Sequence, residues 1–320
     1  MNGSDLKSSL PETLGARVTG EALKERRATI VFDAAGLDPA GRADAEAVVT
    51  DALMARSDVD DVRVVMTAER KGPLIIAVGS GKGGVGKSTL TANLAIALAR
   101  RGTRVGLVDA DIYGPSQPVI FGNQGAKPTV IDEKLVPLSS EFGVSLLSMG
   151  HLVAPGKALA WRGPMASGAL GQLFDADWVD TEVLLVDLPP GTGDVQLTMV
   201  QKFKPAGAIL VSTPQDLALI DAARAGQLFD AAKVPVIGLV ENMSGYACPH
   251  CGEISDPFGA GGVEDAAARL DLPFLGRIPL ELAIRQGSDT GRPPAAGDGD
   301  LAEPFFRIAD RLGEWLSSRG

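Results

Sequence analysis

The eight residues Gly81-Lys82-Gly83-Gly84-Val85-Gly86-Lys87-Ser88 satisfy every position of the pattern G-x-x-x-x-G-K-[ST]. This pattern works only where a buried strand ends, the backbone curls and a helix begins. The apolar run Leu74–Val78 provides the strand, and the residues from Ser88 provide the helix. Glycines let the backbone curl so that several N–H groups face one anion. The helix adds its positive N-terminal end. Lys87 is expected to neutralise the β- and γ-phosphates of a nucleoside triphosphate, read as ATP, and Ser88 to place its hydroxyl on magnesium. A chance glycine-rich turn would lack both flanks.

The rest of the chain fits the α/β fold that the loop demands. Short aliphatic runs recur at Leu74–Val78, Val105–Val108, Val144–Ser148, Val183–Val186, Ala208–Val211, Val236–Val240 and Pro273–Leu275. Near-continuous apolar runs mark strands covered on both faces. Helical stretches at Ser88–Arg101, Met165–Phe174, Leu217–Ala232 and Val263–Leu270 alternate with them. The pattern predicts a mostly parallel sheet flanked by helices, with right-handed crossovers. Gly287–Asp300 reads as a loop, and Ala302–Ser317 as an amphipathic terminal helix. Residues 1–70 read as a separate small α+β unit. Its first 27 residues look irregular, with a strand at Ala28–Phe32, a helix at Arg42–Ala55 and a strand at Val62–Thr67. Ala68–Gly72 reads as a charged linker to the 71–320 domain.

Two strand ends carry carboxylates. Val108-Asp109-Ala110-Asp111 places two acids just past a strand, where open parallel sheets bind ligands. Asp111 is the candidate to orient or deprotonate an attacking water, and Asp109 to support the magnesium shell. The alternative is a pair of solvated turn carboxylates. Val183–Asp187 is an apolar run ending in an acid, and Asp187 is expected to hold magnesium through water. The segment Pro189-Pro190-Gly191-Thr192-Gly193 after it reads as a stiff loop that responds to the γ-phosphate.

Cys248 and Cys251 are the only cysteines among 320 residues. A disulfide framework is thereby excluded, and a reducing compartment is implied. C-x-x-C spacing aims two sulfurs at one centre, whereas zinc and 4Fe–4S sites usually take four ligands. A symmetric dimer would complete the set. A bridging 4Fe–4S cluster, a bridging structural zinc and a dithiol redox pair all satisfy the spacing. His250 falls between the inward-pointing sulfurs and is not counted as a ligand. His151 reads as a loop residue.

A net charge of −10 argues against broad nucleic-acid or anionic-membrane binding. Met1–Gly15 has no apolar core of signal-peptide length, and no uninterrupted apolar stretch approaches a membrane span. A cytoplasmic location is the expectation.

Lys82, at the start of the loop, makes it resemble the deviant phosphate loop of the MinD, ParA and nitrogenase-iron-protein class. In that class this lysine crosses a dimer interface to touch the partner's nucleotide. The wider chain, from about Leu74 to Leu312, resembles the Mrp/ApbC family of iron–sulfur cluster carrier ATPases. The stretches that carry the resemblance are Gly81–Thr89, Asp109–Ser116 (DADIYGPS), Trp161–Pro164 (WRGP), Asp187–Leu197 (DLPPGTGDVQL), Glu241–Ser244 (ENMS), Cys248–Gly252 (CPHCG) and Gly276–Leu280 (GRIPL). The resemblance implies a homodimeric ATPase that carries a labile 4Fe–4S cluster on Cys248 and Cys251. It implies exchange with cluster-assembly scaffold proteins and apo iron–sulfur proteins, without nucleic acid or stable membrane association. Thr89, Asn242 and Pro279 join Gly81–Ser88 as nucleotide-binding positions, with Asn242 expected to read the adenine. Lys82, Lys87 and Asp111 are the expected catalytic set. The N-terminal unit resembles a shortened cluster-assembly domain but contains no cysteine. Arg224 stands where the family usually has lysine. Two rivals share parts of this pattern. One is a MinD- or ParA-like positioning ATPase, which would use the terminal helix on a membrane. The other is a zinc-bridged ATPase scaffold.

Overall fold

The structure, a computed structural model, describes residues 6–67, 72–152, 163–179, 181–191, 193–248 and 250–319. The chain divides into two compact units, Met1–Lys71 and Gly72–Gly320.

In the first unit, a single turn α1 (Glu12–Gly15) precedes β1 (Val18–Lys24) and β2 (Arg27–Asp33), which form an antiparallel hairpin. Its two turn residues, Glu25 and Arg26, both have positive φ, as tight hairpin turns require. Helix α2 (Pro39–Met54) follows, capped by the Asp38 carboxylate, which accepts from Gly41 N at 2.7 Å. Strand β3 (Asp61–Thr67) then pairs parallel to β2. Ala45, Val49 and Leu53 of α2 pack with Ala28, Ile30 and Phe32 of β2 in one core. The expectation of an irregular Met1–Arg27 is corrected by β1. Only Val18 of that strand is buried, so an exposed edge strand left no apolar alternation to read.

The second unit is built on an eight-stranded sheet ordered β15-β12-β11-β4-β10-β5-β9-β8. Its strands are β4 (Leu74–Gly79), β5 (Val105–Asp109), β8 (Leu138–Ser139), β9 (Val144–Ser148), β10 (Val183–Asp187), β11 (Gly207–Ser212), β12 (Val236–Asn242) and β15 (Phe274–Ile278). All neighbours are parallel except β8, which runs against β9. A separate hairpin, β6 (Thr129–Ile131) with β7 (Lys134–Val136), follows the short helix α4 (Gln117–Ile120).

Side chains alternate across the sheet into two cores. Ile76 and Val78 of β4 face one core, with Leu90, Leu94 and Ile96 of α3 (Lys87–Arg100). Ile284 of α9 (Leu282–Asp289) joins them there. Ala77, between them in β4, faces the other core. That core is filled from α5 (Gly163–Phe174), α6 (Asp194–Phe203), α7 (Asp216–Ala231) and α8 (Gly262–Arg269). The result is a three-layer α/β/α domain.

Helix α10 (Glu303–Ser317) closes the first core. Phe305, Ile308 and Leu312 are fully buried there, with Phe306, Trp315 and Leu316 packed against them. The apolar stripe that a membrane-binding reading would need is spent on packing. Phe305→Ala is expected to cost about 3–5 kcal/mol of stability, measured by urea denaturation. A loss under about 1 kcal/mol would mean that the stripe has another partner.

The expected helices recur within a few residues of their bounds. The expectation of a loop over Gly287–Asp300 is corrected in two places: α9 runs on to Asp289, and a 3-10 turn occupies Pro294–Ala296. No helix of the described residues is long and apolar enough to cross a membrane.

Candidate functional site

Sheet register assembles the site. Asp187 on β10 lies level with Val78 on β4 and with Asp109 on β5, and Asp109 lies level with Ser148 on β9. The phosphate loop leaves β4 at this level, so loop and carboxylates meet at the carboxyl edge of the sheet.

Gly84 and Gly86 adopt positive φ, +79° and +84°, which gives the loop its curl. A Cβ at Gly86 would collide with the Asn242 amide. That amide donates from Nδ2 to Val85 O at 2.8 Å and so ties the end of β12 to the loop. Ser80 Oγ closes the loop's base on Lys82 O at 2.9 Å. Gly191 N donates to Ser80 O at 3.0 Å, joining the loop after Asp187 to the phosphate loop. Thr192 and Pro249 lie outside the described residues, as do Trp161 and Arg162 of the WRGP stretch.

Lys87 opens α3 and is buried, its ammonium paired with the fully buried Asp187 carboxylate. It also reaches Ser88 Oγ at 3.4 Å. Asp109 is fully buried, which removes the solvated-turn alternative for it. Its Oδ2 accepts from Ser148 Oγ at 2.9 Å and from Gln117 N at 3.0 Å, and its Oδ1 accepts from Asp111 N at 3.2 Å. Burial first, then the neighbouring Asp187 charge, pushes its pKa up to about 7, against the Gln117 N–H, Lys87 and Ser148. Two buried carboxylates repelling one another beside a serine hydroxyl form the donor set of a hard divalent cation. The residues present fit magnesium.

Asp111 Oδ1 accepts from Tyr113 N and Gly114 N, both at 3.1 Å. Its carboxylate is therefore fixed by its own turn. Lys82 is half-buried and donates to Gln215 Oε1 at 3.3 Å within its own chain. Pro279 follows β15, where Ser244 N bonds Ile278 O at 3.0 Å and Leu280 N bonds Gly245 O at 2.9 Å. This places Pro279 beside the turn after Asn242. Thr89 is half-buried in the first turn of α3.

Three neutral residues were not singled out from sequence: Thr91, Gln117 and Ser148. Thr91 Oγ1 lies 3.4 Å from Asp187 Oδ1, and Gln117 Nε2 donates to Asp187 Oδ2 at 2.8 Å. Only Ser148 left a signal, as the polar end of an apolar run.

The cysteines lie in the loop that joins the two strands of a small antiparallel hairpin, β13 (Tyr246–Ala247) with β14 (Ile254–Ser255). Cys248 N donates to Glu253 O at 2.9 Å, and Gly252 N returns to Cys248 O at 2.8 Å. Gly252 takes φ +75° to make that turn. Cys248 is half-buried and Cys251 exposed, both unbridged. Backbone N–H groups of Cys251 and then His250, with the Cys251 side chain, hold the Cys248 thiol below its usual range. Among the described residues, no group of three or more Cys, His, Asp or Glu is placed to hold a metal. His151 is buried, its Nε2 3.2 Å from Asn123 Oδ1, and burial lowers its pKa to about 4.

Fold and loop together define a P-loop NTPase of the ParA/MinD type. The model of the ParA-type family described as "NUBPL iron-transfer P-loop NTPase" matches residues 73–313, and the chain belongs to that family. It is an ATPase by that membership. An iron–sulfur cluster carrier protein of Pseudomonas fragi is 50% identical over 227 residues, 70% of this chain and 79% of that one. A nucleotide-binding protein of Archaeoglobus fulgidus, solved in complex with ADP, is 38% identical with a TM-score of 0.64. That match covers 73% of this chain and 91% of the other. The cell-division ATPase MinD of Pyrococcus furiosus is 25% identical, with a TM-score of 0.57 over 75% of this chain and 98% of that one.

Proposed function

We propose that the protein is an iron–sulfur cluster carrier that holds one 4Fe–4S cluster across a homodimer, binds and hydrolyses ATP with magnesium, and passes the cluster to apo-proteins. The observation that carries the reading is the Cys248–Cys251 hairpin tip. It presents two free thiols, one half-buried and one exposed, on a chain whose described residues offer no third ligand beside them. A second copy related by a twofold axis completes four thiolates.

In this reading Ser88, Asp109 and Asp187 hold magnesium, which neutralises charge on the transferring phosphate. Lys87 exchanges Asp187 for the β- and γ-phosphates. Asp111, fixed by its turn, orients the attacking water. Lys82 leaves Gln215 and reaches the partner's nucleotide, where negative charge develops. Asn242 and Pro279 flank the base. The N-terminal unit is a shortened assembly-type domain without a thiolate of its own; scaffold proteins and recipients are the partners.

Loaded protein mixed with an apo-enzyme that has an empty 4Fe–4S site tests this directly. Activity should return in the apo-enzyme, and excess iron chelator should not intercept it. Stoichiometric zinc that survives reconstitution with iron and sulfide, with no transfer, would contradict the proposal and favour the zinc-bridged scaffold.

A further inference from the structure

Gln117 is fully buried at the start of α4 and hydrogen-bonds to Ser88, Asp109 and Asp187. Its backbone N donates to Asp109 Oδ2 at 3.0 Å. Its side-chain Nε2 donates to Ser88 O at 3.0 Å and to Asp187 Oδ2 at 2.8 Å. Both of those partners can only accept, so the amide orientation is fixed chemically: nitrogen faces them and oxygen faces away. Gln117 Oε1 is then a buried acceptor without a partner. Buried acceptors in native proteins are nearly always satisfied, and an orphan beside a ligand site points to a donor carried by the ligand.

The donor must fit the surroundings. Asp109 and Asp187 favour a cation, and a hydrated divalent ion of the magnesium type keeps several of its waters. Each such water is a strong hydrogen-bond donor. We propose that Gln117 is a positioning residue for the divalent cation: Oε1 accepts from a cation-bound water while Nε2 pins Asp187. This rests on the magnesium reading of the site given above. One amide thereby links the phosphate-loop helix, β10 and the segment after β5.

The test is ADP affinity of the full chain, measured calorimetrically across a magnesium titration and again in EDTA. Gln117→Met keeps the volume and loses the polar atoms. It should raise the magnesium concentration for half-maximal effect about tenfold and leave ADP affinity in EDTA unchanged. Gln117→Glu gives up the Nε2 bonds to Asp187 and Ser88 but restores the acceptor and adds a negative charge beside the cation, so it should keep the magnesium midpoint at or below that of the unaltered protein. A Met variant with an unshifted midpoint overturns the assignment. So does a Glu variant that loses magnesium as severely as Met, because a purely structural amide would fail in both. If Met does not fold, the Glu midpoint alone decides. An unaltered protein whose ADP affinity ignores magnesium would overturn the cation site itself, a distinguishable failure.

Discussion

Lys87→Ala is expected to lower kcat/KM for ATP by about 10²–10³-fold, the usual effect of removing one preorganised charge from a transition state. A second effect accompanies it. The Lys87 ammonium is the paired cation of a fully buried Asp187. Removing one partner of a buried pair leaves an uncompensated charge and costs about 3–5 kcal/mol. The nucleotide-free variant should therefore melt well below the unaltered protein, in addition to turning over poorly. Steady-state phosphate release and a thermal melt check both arms. Unchanged hydrolysis would remove Lys87 from the catalytic set. Lost hydrolysis with an unchanged melt would mean that the Lys87–Asp187 pair adds nothing to the resting fold.

Cys248→Ala is expected to abolish the proposed cluster binding while leaving the fold intact. Half the ligands of a bridged cluster would be gone from the dimer, because a single substitution acts in both copies. Cys248 and Cys251 sit on an exposed hairpin tip outside both main cores. Surface changes of this kind stay within about 0.5 kcal/mol. The expected result is colourless protein without iron or acid-labile sulfide after reconstitution, and an unchanged melting temperature. Brown protein with full iron content would place the cluster elsewhere.

Legibility in the sequence follows burial. β4, β5, β10, β11 and β12 are covered on both faces, so each wrote a continuous aliphatic run. α10 wrote a stripe because one face is buried and the other is wet. β1, β6 and β14 are exposed edge or hairpin strands with little or nothing buried, and left no pattern. α9 buries only Ile284 and Ser288, and its glycine at position 287 disguised it as loop.

The site divides in the same way. Charged and glycine positions of the phosphate loop carry their chemistry in residue type and spacing. Gln117 and Ser148 do not, since a neutral side chain reaches the buried carboxylates only through the fold: Ser148 by its register with Asp109, and Gln117 by its place at the start of α4. Asp109 was visible as an acid, but its raised pKa comes from burial and from Asp187, which is distant in sequence and adjacent across β5 and β10. Lys82 was legible only by family resemblance. Within one chain it rests on Gln215.

A cluster shared between two copies of this chain has a fixed stoichiometry that can be measured. Protein reconstituted without oxygen should be analysed for iron, sulfide and mass by sedimentation on one sample. A shared cluster requires a dimer with about two irons and two sulfides per chain, one cluster for each pair. About four irons per chain on a monomer, or a dimer that persists with zinc and no sulfide, would contradict it.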